Sequence, residues 1–189
     1  MFEKDLPGQN TTGWGTDVNS VSSLPLETCE TINNSWGFNI KDDTYKSATE
    51  IIHLLVKGAG LNGNLLLNIG PMPNGAVQPE FVSRLDSVGT WMSVNGESIY
   101  GTHGVGLTNT PWGTATRNGN TVYIHLLKAP ESQLVINDLP FKKIKSATEL
   151  KNGRVIKTVQ LKKNTLTISQ LDQLEKDPFD TVIKLELQP

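Results

Sequence analysis

Cysteine is almost missing from these 189 residues: Cys29 stands alone, so no disulfide can close within the chain and no second thiolate is available for a structural zinc site. Histidine is nearly as scarce. His53, His103 and His125 lie far apart and follow no ligand spacing, so the sequence implies neither a metal nor a cofactor. One thiol suits any redox compartment and leaves location open. An excess of either charge is also lacking, with 17 Lys and Arg against 19 Asp and Glu and a net charge of -2. No broad cationic face follows from that balance; Lys142, Lys143, Lys145, Lys162 and Lys163 read as the polar faces of strands, and nucleic acid is not an expected partner. Long apolar runs are absent. Stretches such as "NLLLNIG" fall far short of the roughly 20 residues of a membrane span, so the chain reads as soluble with no membrane partner. "MFEKDLPG" is charged from its third residue and has no apolar stretch of the signal-peptide kind.

What is present is an ordinary globular composition, 37% hydrophobic with 17 Gly and 10 Pro, enough for one large domain or two small ones. The first forty residues are rich in Gly, Asn, Ser, Thr and Pro and read as a long loop, which in a compact domain is usually functional. Ala48, Ile51, Ile52, Leu55 and Val56 then recur at helical spacing, with Asp43 or Thr44 as the expected cap and Gly58 and Gly60 near the end. "NLLLNIGP", residues 64 to 71, reads as a strand buried on both faces, as in a parallel sheet. A second helix follows Pro79, with Glu80 and Arg84 paired four apart and Phe81, Leu85, Val88 and Met92 as its inner stripe.

Helix, buried strand, helix is the unit of a β/α barrel or doubly wound sheet, and about a hundred residues are too few to close an eight-stranded barrel of typically 250. The front half therefore reads as a piece of one. After residue 106 the period changes to two. "TVYIHLLK", "QLVIND", "VIKTVQLKK", "TLTISQL" and "DTVIKLELQ" are separated by "RNGN", "KNG" and "KDPFD", the pattern of an antiparallel β-sandwich. The expected fold class is α/β plus all-β: a partial (β/α) barrel over residues 1–105, then a sandwich over 106–189, with the change inside "GTHGVGLTNTPWG".

In "LPLETCETINNSWGFNIKDD", Glu27 is either one more solvated loop charge or a working acid. Trp14 and Trp36 lie in or beside the same loop, and aromatic faces are what sugar C–H surfaces stack on, while Asn33, Asn34 and Asn39 offer amides to hydroxyls. Trp36 reads equally well as a staple that tucks the loop onto the scaffold. "NIGPMPNG" is explained by turn chemistry alone, although the carboxyl end of a barrel strand is where active sites are built. His53 and His125 read as structural, and Glu97 as a structural partner after the helix end at Asn95-Gly96.

"LETCETINNSWGF", "GNLLLNIGPMPNG" and "LDSVGTWMSVNGESIYGT", in this order, resemble the carboxyl-terminal part of the family 29 α-L-fucosidases. The resemblance covers residues 1 to about 103 through its motifs and the remainder by strand pattern alone. It implies a retaining glycoside hydrolase acting on a fucosylated glycan or fucoside, with no cofactor, in a periplasmic, extracellular or lysosomal setting. It also implies an aspartate nucleophile on an earlier barrel strand. No segment here matches that motif, so the chain alone is expected not to hydrolyse, and its open edges to meet the missing amino-terminal barrel portion or a second copy. Glu27 matches the position proposed for the general acid/base, with Glu3 and Asp5 as the other candidates, and Trp36 and Trp14 are the expected substrate contacts. Relatives often carry Trp before this Glu, where the chain has Leu26.

Overall fold

A computed structural model describes residues 26–107, 110–137, 139, 143–157, 159–162 and 164–188. Its first unit is β1 (Leu26–Thr31), α1 (Ala48–Gly60) and β2 (Gly63–Asn68). The two strands run parallel, from Leu26 opposite Gly63 to Thr31 opposite Asn68, and α1 supplies the crossover that a parallel pair requires. Helix α1 starts later than expected. Its cap is Ser47, not Asp43 or Thr44: the Ser47 hydroxyl accepts from the Glu50 N–H at 3.2 Å, and the Glu50 carboxylate accepts from the Ser47 N–H at 2.7 Å. This reciprocal box satisfies two otherwise orphaned donors, which neither Asp43 nor Thr44 is placed to do. The Ser47 backbone bond, more than any other cause, holds the Glu50 carboxyl below its ordinary range.

Ile51, Ile52 and Val56 bury the inner face of α1. Strand β2 is not buried on both faces as expected; Leu66 is 51% exposed, because the helices cover one face and Leu66 alternates onto the other. Helix α2 (Pro79–Asn95) buries Phe81, Trp91 and Asn95, with Val88 and Met92 partly covered. Leu85, expected on this stripe, is 36% exposed: positions 81, 88, 91 and 95 make the inner line, and 85 falls a step outside it. Arg84 does not pair with the Glu80 carboxylate. Its guanidinium donates to the carbonyls of Lys46 (2.7 Å) and Glu80 (2.9 Å) and lies 5.0 Å from the Tyr45 ring centroid, a better desolvated set than an exposed ion pair.

Apart from short 3-10 turns at Gly96–Ser98 and Leu171–Gln173, the regular elements that follow are strands: β3 (His103–Gly104), β4 (Gly113–Asn118), β5 (Thr121–Leu126), β6 (Gln133–Ile136), β7 (Ile144–Glu149), β8 (Val159–Lys162), β9 (Thr165–Ser169) and β10 (Thr181–Leu187). They form two antiparallel sheets, ordered β3-β4-β5-β10-β7 and β6-β9-β8. Alternation sends Val122, Ile124, Ile183 and Leu185 from the larger sheet and Leu134, Leu166 and Ile168 from the smaller into one common core. This two-layer arrangement is compatible with the expected sandwich.

The other face of the larger sheet packs on the helices, with Tyr123 and Val182 against Ile52, Val56 and Trp91. Polar links accompany this contact. His53 Nε2 lies 2.8 Å from the Phe179 carbonyl, and Lys184 pairs with Glu97 at 2.9 Å, which raises the Lys184 pKa. Deepest lies a fully buried chain in which Asp180 Oδ2 sits 2.6 Å from His125 Nδ1 and His125 Nε2 sits 3.3 Å from the Thr116 hydroxyl, which donates to the Ser98 carbonyl at 2.6 Å. His125 is thus bracketed by a carboxylate on one ring nitrogen and a hydroxyl on the other. The chain ties β4, β5 and the start of β10 to the turn after α2.

Among the described residues, no helix is long and apolar enough to cross a membrane, and no group of three His, Cys, Asp or Glu is placed to hold a metal.

Candidate functional site

At the carboxyl end of β1 the chain enters a loop built from its own short polar side chains. Ile32 is fully buried, and Thr31 closes the first turn by donating to the Asn33 carbonyl. Asp42 then gathers the loop: Oδ2 accepts from the Asn34 N–H at 2.9 Å and the Ser35 hydroxyl at 2.7 Å, and Oδ1 from the Thr44 N–H at 3.4 Å. Asn39 donates to the Ser35 hydroxyl at 3.2 Å and accepts from the Lys41 N–H at 3.1 Å, while Asn33 accepts from the Ser35 N–H at 3.3 Å. The amides of Asn33 and Asn39 thus fold the loop, the local use to which short Asx side chains are suited.

The loop's product is the placement of Trp36. Its carbonyl accepts from Asn68 Nδ2 at 2.8 Å, and the residue is 57% exposed. Gly70 sets the same contact from below: a Cβ there would fall 2.4 Å from the Gly37 carbonyl carbon, so only glycine lets the chain after β2 meet the Trp36 loop. Thr31 and Asn68 are partners in the parallel register, so both strands deliver their carboxyl ends to this spot. In β/α architectures that end of the strands carries the ligand site.

Glu27 lies elsewhere. It is the second residue of β1, opposite Asn64, and exposed. Four residue steps along the strand separate it from Thr31, about 13 Å at the usual rise. Glu27 thus stands near the amino end of β1, and the Trp36 carbonyl near Asn68 at the carboxyl end of β2. Trp14, Glu3 and Asp5 lie outside the described residues. Glu97 is engaged by Lys184, His53 by the Phe179 carbonyl and His125 by Asp180, each in the structural role expected.

Asn68 and Asp42 went unrecognised in the sequence as parts of the loop. Asn68 sits inside the "NLLLNIG" motif, where it reads as an interior strand position. Asp42 carried a weak signal, since a carboxylate seven or eight residues after an Asn-Ser pair can close an Ω-type loop.

Comparison with known proteins bears directly on this site. The family profile described as Alpha-L-fucosidase matches residues 1–97, half of the chain. The plasma α-L-fucosidase of Pongo abelii is 37% identical over 161 residues, covering 78% of this chain and 34% of its own length. Human tissue α-L-fucosidase is 38% identical over 136 residues, covering 62% and 27%. Among solved structures, α-L-fucosidase isoenzyme 1 from Paenibacillus thiaminolyticus matches with a TM-score of 0.78 at 32% identity, over 88% of this chain and 40% of that one. A Bacteroides thetaiotaomicron family 29 α-L-fucosidase, solved as a trapped covalent intermediate with 2-fluoro-fucosyl fluoride, matches with a TM-score of 0.76 at 29% identity, over 87% and 38%. The chain spans about a third of the length of the curated relatives it matches. With half its length matched by the profile, the chain belongs to the family 29 α-L-fucosidases.

Proposed function

We propose that this chain is the carboxyl-terminal portion of a retaining α-L-fucosidase that hydrolyses terminal α-L-fucosyl linkages of glycans. In this reading residues 1–105 are the last strand–helix units of a catalytic (β/α) barrel and residues 106–189 a β-sandwich domain packed on it. The observation that carries it is the exposed Trp36 face held at the paired carboxyl ends of two parallel strands by Asn68 and Gly70. An indole there offers an apolar plane to sugar C–H groups, and Trp14 is a second aromatic from the preceding segment.

A retaining mechanism uses two carboxyl groups about 5 to 5.5 Å apart, one attacking the anomeric carbon and the other protonating the leaving oxygen and then activating water. The covalent intermediate trapped in the Bacteroides relative supports the same course for this family member. The nucleophile belongs to barrel strands outside these residues, so the 189-residue chain by itself has no hydrolytic activity. For the acid/base, Glu27 is the residue nominated by its motif, and its exposure on an uncovered strand is what a partial barrel would show. Its register position weighs against it, and Glu3 and Asp5 are the other candidates.

The deciding experiment uses a barrel-complete enzyme containing this segment and compares Glu27→Gln, Glu3→Gln and Asp5→Asn. Loss of the acid/base abolishes turnover of substrates with poor leaving groups while azide restores hydrolysis of activated aryl fucosides. Full activity in Glu27→Gln together with azide rescue in either other variant removes Glu27 from the mechanism. Failure of all three to alter turnover removes the assignment altogether.

A further inference from the structure

We propose that the groove between edge strands β7 and β8 is a binding site for a sulfated, anionic polysaccharide. Residues 142 to 163 hold eight of the chain's 17 Lys and Arg but a single acidic residue, Glu149. That one carboxylate is not available to neutralise the others. Glu149 is 2% exposed and is consumed internally, by Arg154 at 2.5 Å and by the Asn152 amide at 2.7 Å. Lys143, Lys145, Lys157 and Lys162 are exposed and form no ion pair among the described residues.

Geometry gathers part of this charge along a concave line. Strands β7 and β8 end their respective sheets, and between them lies a cavity of about 350 Å³ lined by Lys143, Lys145, Ser146, Val159 and Gln188. A second, of about 200 Å³, adjoins it through Ile156 and is lined by Arg154 and Lys157. The backbone of β7 aims its lysine deliberately. Ser146 is opposite Glu186 and Ile144 opposite Leu187, so Lys145 is one residue too many, a bulge without a partner on β10. Such an insertion lets Ile144 turn toward the core while Lys145 and Ser146 both face outward.

Lysine ammoniums present compact charges to sulfate and carboxylate oxygens, and a linear polyanion satisfies several at once. Among the described residues no aromatic side chain lines either cavity, and the groove's described lining offers lysines in place of the stacking platform that single-stranded nucleic acid uses. Lysines on sheet edges also discourage strand pairing between molecules. That role needs only a charge at the edge, and predicts no affinity for a polyanion. The site would hold the fucosidase on an acidic glycan and does not depend on which carboxylate performs catalysis.

The test is heparin binding by the 189-residue chain at low ionic strength, with Lys143→Glu/Lys145→Glu/Lys157→Glu compared with Lys41→Glu/Lys57→Glu/Lys128→Glu, a triple of equal charge change at exposed positions elsewhere. Expected is retention of the parent chain despite its net charge of -2, release by salt, at least a tenfold loss of affinity in the groove triple and less than twofold in the control. Circular dichroism melts confirm that both triples fold, and glutamine versions replace any that do not. Flow-through of the parent chain, equal losses in the two triples, or equal affinity for oligo-deoxythymidylate or for uncharged dextran overturns the proposal.

Discussion

The two halves of this molecule bury themselves to different degrees. In the all-β half, inner faces of two sheets meet in one closed core, and only Val135 and Val155 are large hydrophobics left exposed among the described residues. In the β/α half, Trp36, Ile40, Leu66, Val82, Leu85, Val94 and Tyr100 all face outward, and a two-stranded parallel sheet ends in two edges. Parallel sheets normally lie buried on both faces, whereas antiparallel ones tolerate water on one. The contrast teaches that, among the described residues, the β half closes its core between its own two sheets, while the β/α half leaves much more apolar surface exposed.

The largest expected effect is in native-state hydrogen exchange. Amides of β5 and β10, central in the larger sheet, should exchange orders of magnitude more slowly than those of β1 and β2. Equal protection in the two sets would erase the contrast. Next comes the buried chain that joins the halves. Asp180→Ala leaves His125 without its partner at zero exposure, and the expected loss is about 3–5 kcal/mol in denaturant-induced unfolding. In a cycle with His125→Phe the two losses should be strongly non-additive; additivity would show that the pair is not a unit.

A smaller effect belongs to the α1 cap. Ser47→Ala should cost about 1 kcal/mol by the same unfolding measurement. The depressed Glu50 pKa makes part of this cap pH-dependent: its contribution is complete above the ordinary carboxyl value of 4.5 and is lost as pH falls through the lower folded value. Glu50→Gln should therefore flatten the stability profile in that acidic window and nowhere above it. Smallest of all is Lys151–Glu175, 3.0 Å apart but on the open surface. Lys151→Ala should leave the denaturation midpoint unchanged, and a clear shift would mean that the β half depends on its surface charges more than its closed core suggests.

Reading the sequence located the helices, the change from helical to period-two spacing and strands β2, β5, β6, β8, β9 and β10, because each is governed by neighbours a few residues away; β1, inside the stretch read as a loop, and β3, β4 and β7 escaped it, being short or rich in Gly, Thr and charged residues. Its failures share a cause. Leu85 fits the helical stripe as well as Trp91, and only the position of β2 and the larger sheet selects between them. Asp43 and Thr44 are good capping residue types, but the loop closed by Asp42 sets the start of the helix later, at Ser47, which the sequence reading did not single out. At the site, Trp36 stood out by type, while its hold by Asn68, 32 residues away, and the distance of Glu27 from it follow from the register of two strands.

The sequence by itself determined both helices, the change from helical to period-two spacing and, through its spaced motifs, membership of a family. These rest on local backbone preference and on the periodic burial of side chains, both written in short stretches of chain. Only the tertiary structure decided that Asn33 and Asn39 fold a loop instead of facing a ligand, that His125 and Asp180 meet in the interior, and that Glu27 sits near the amino end of β1 while Trp36 lies in the loop beyond its carboxyl end. Those outcomes depend on which distant segments pack together, and packing is settled by the whole set of contacts at once.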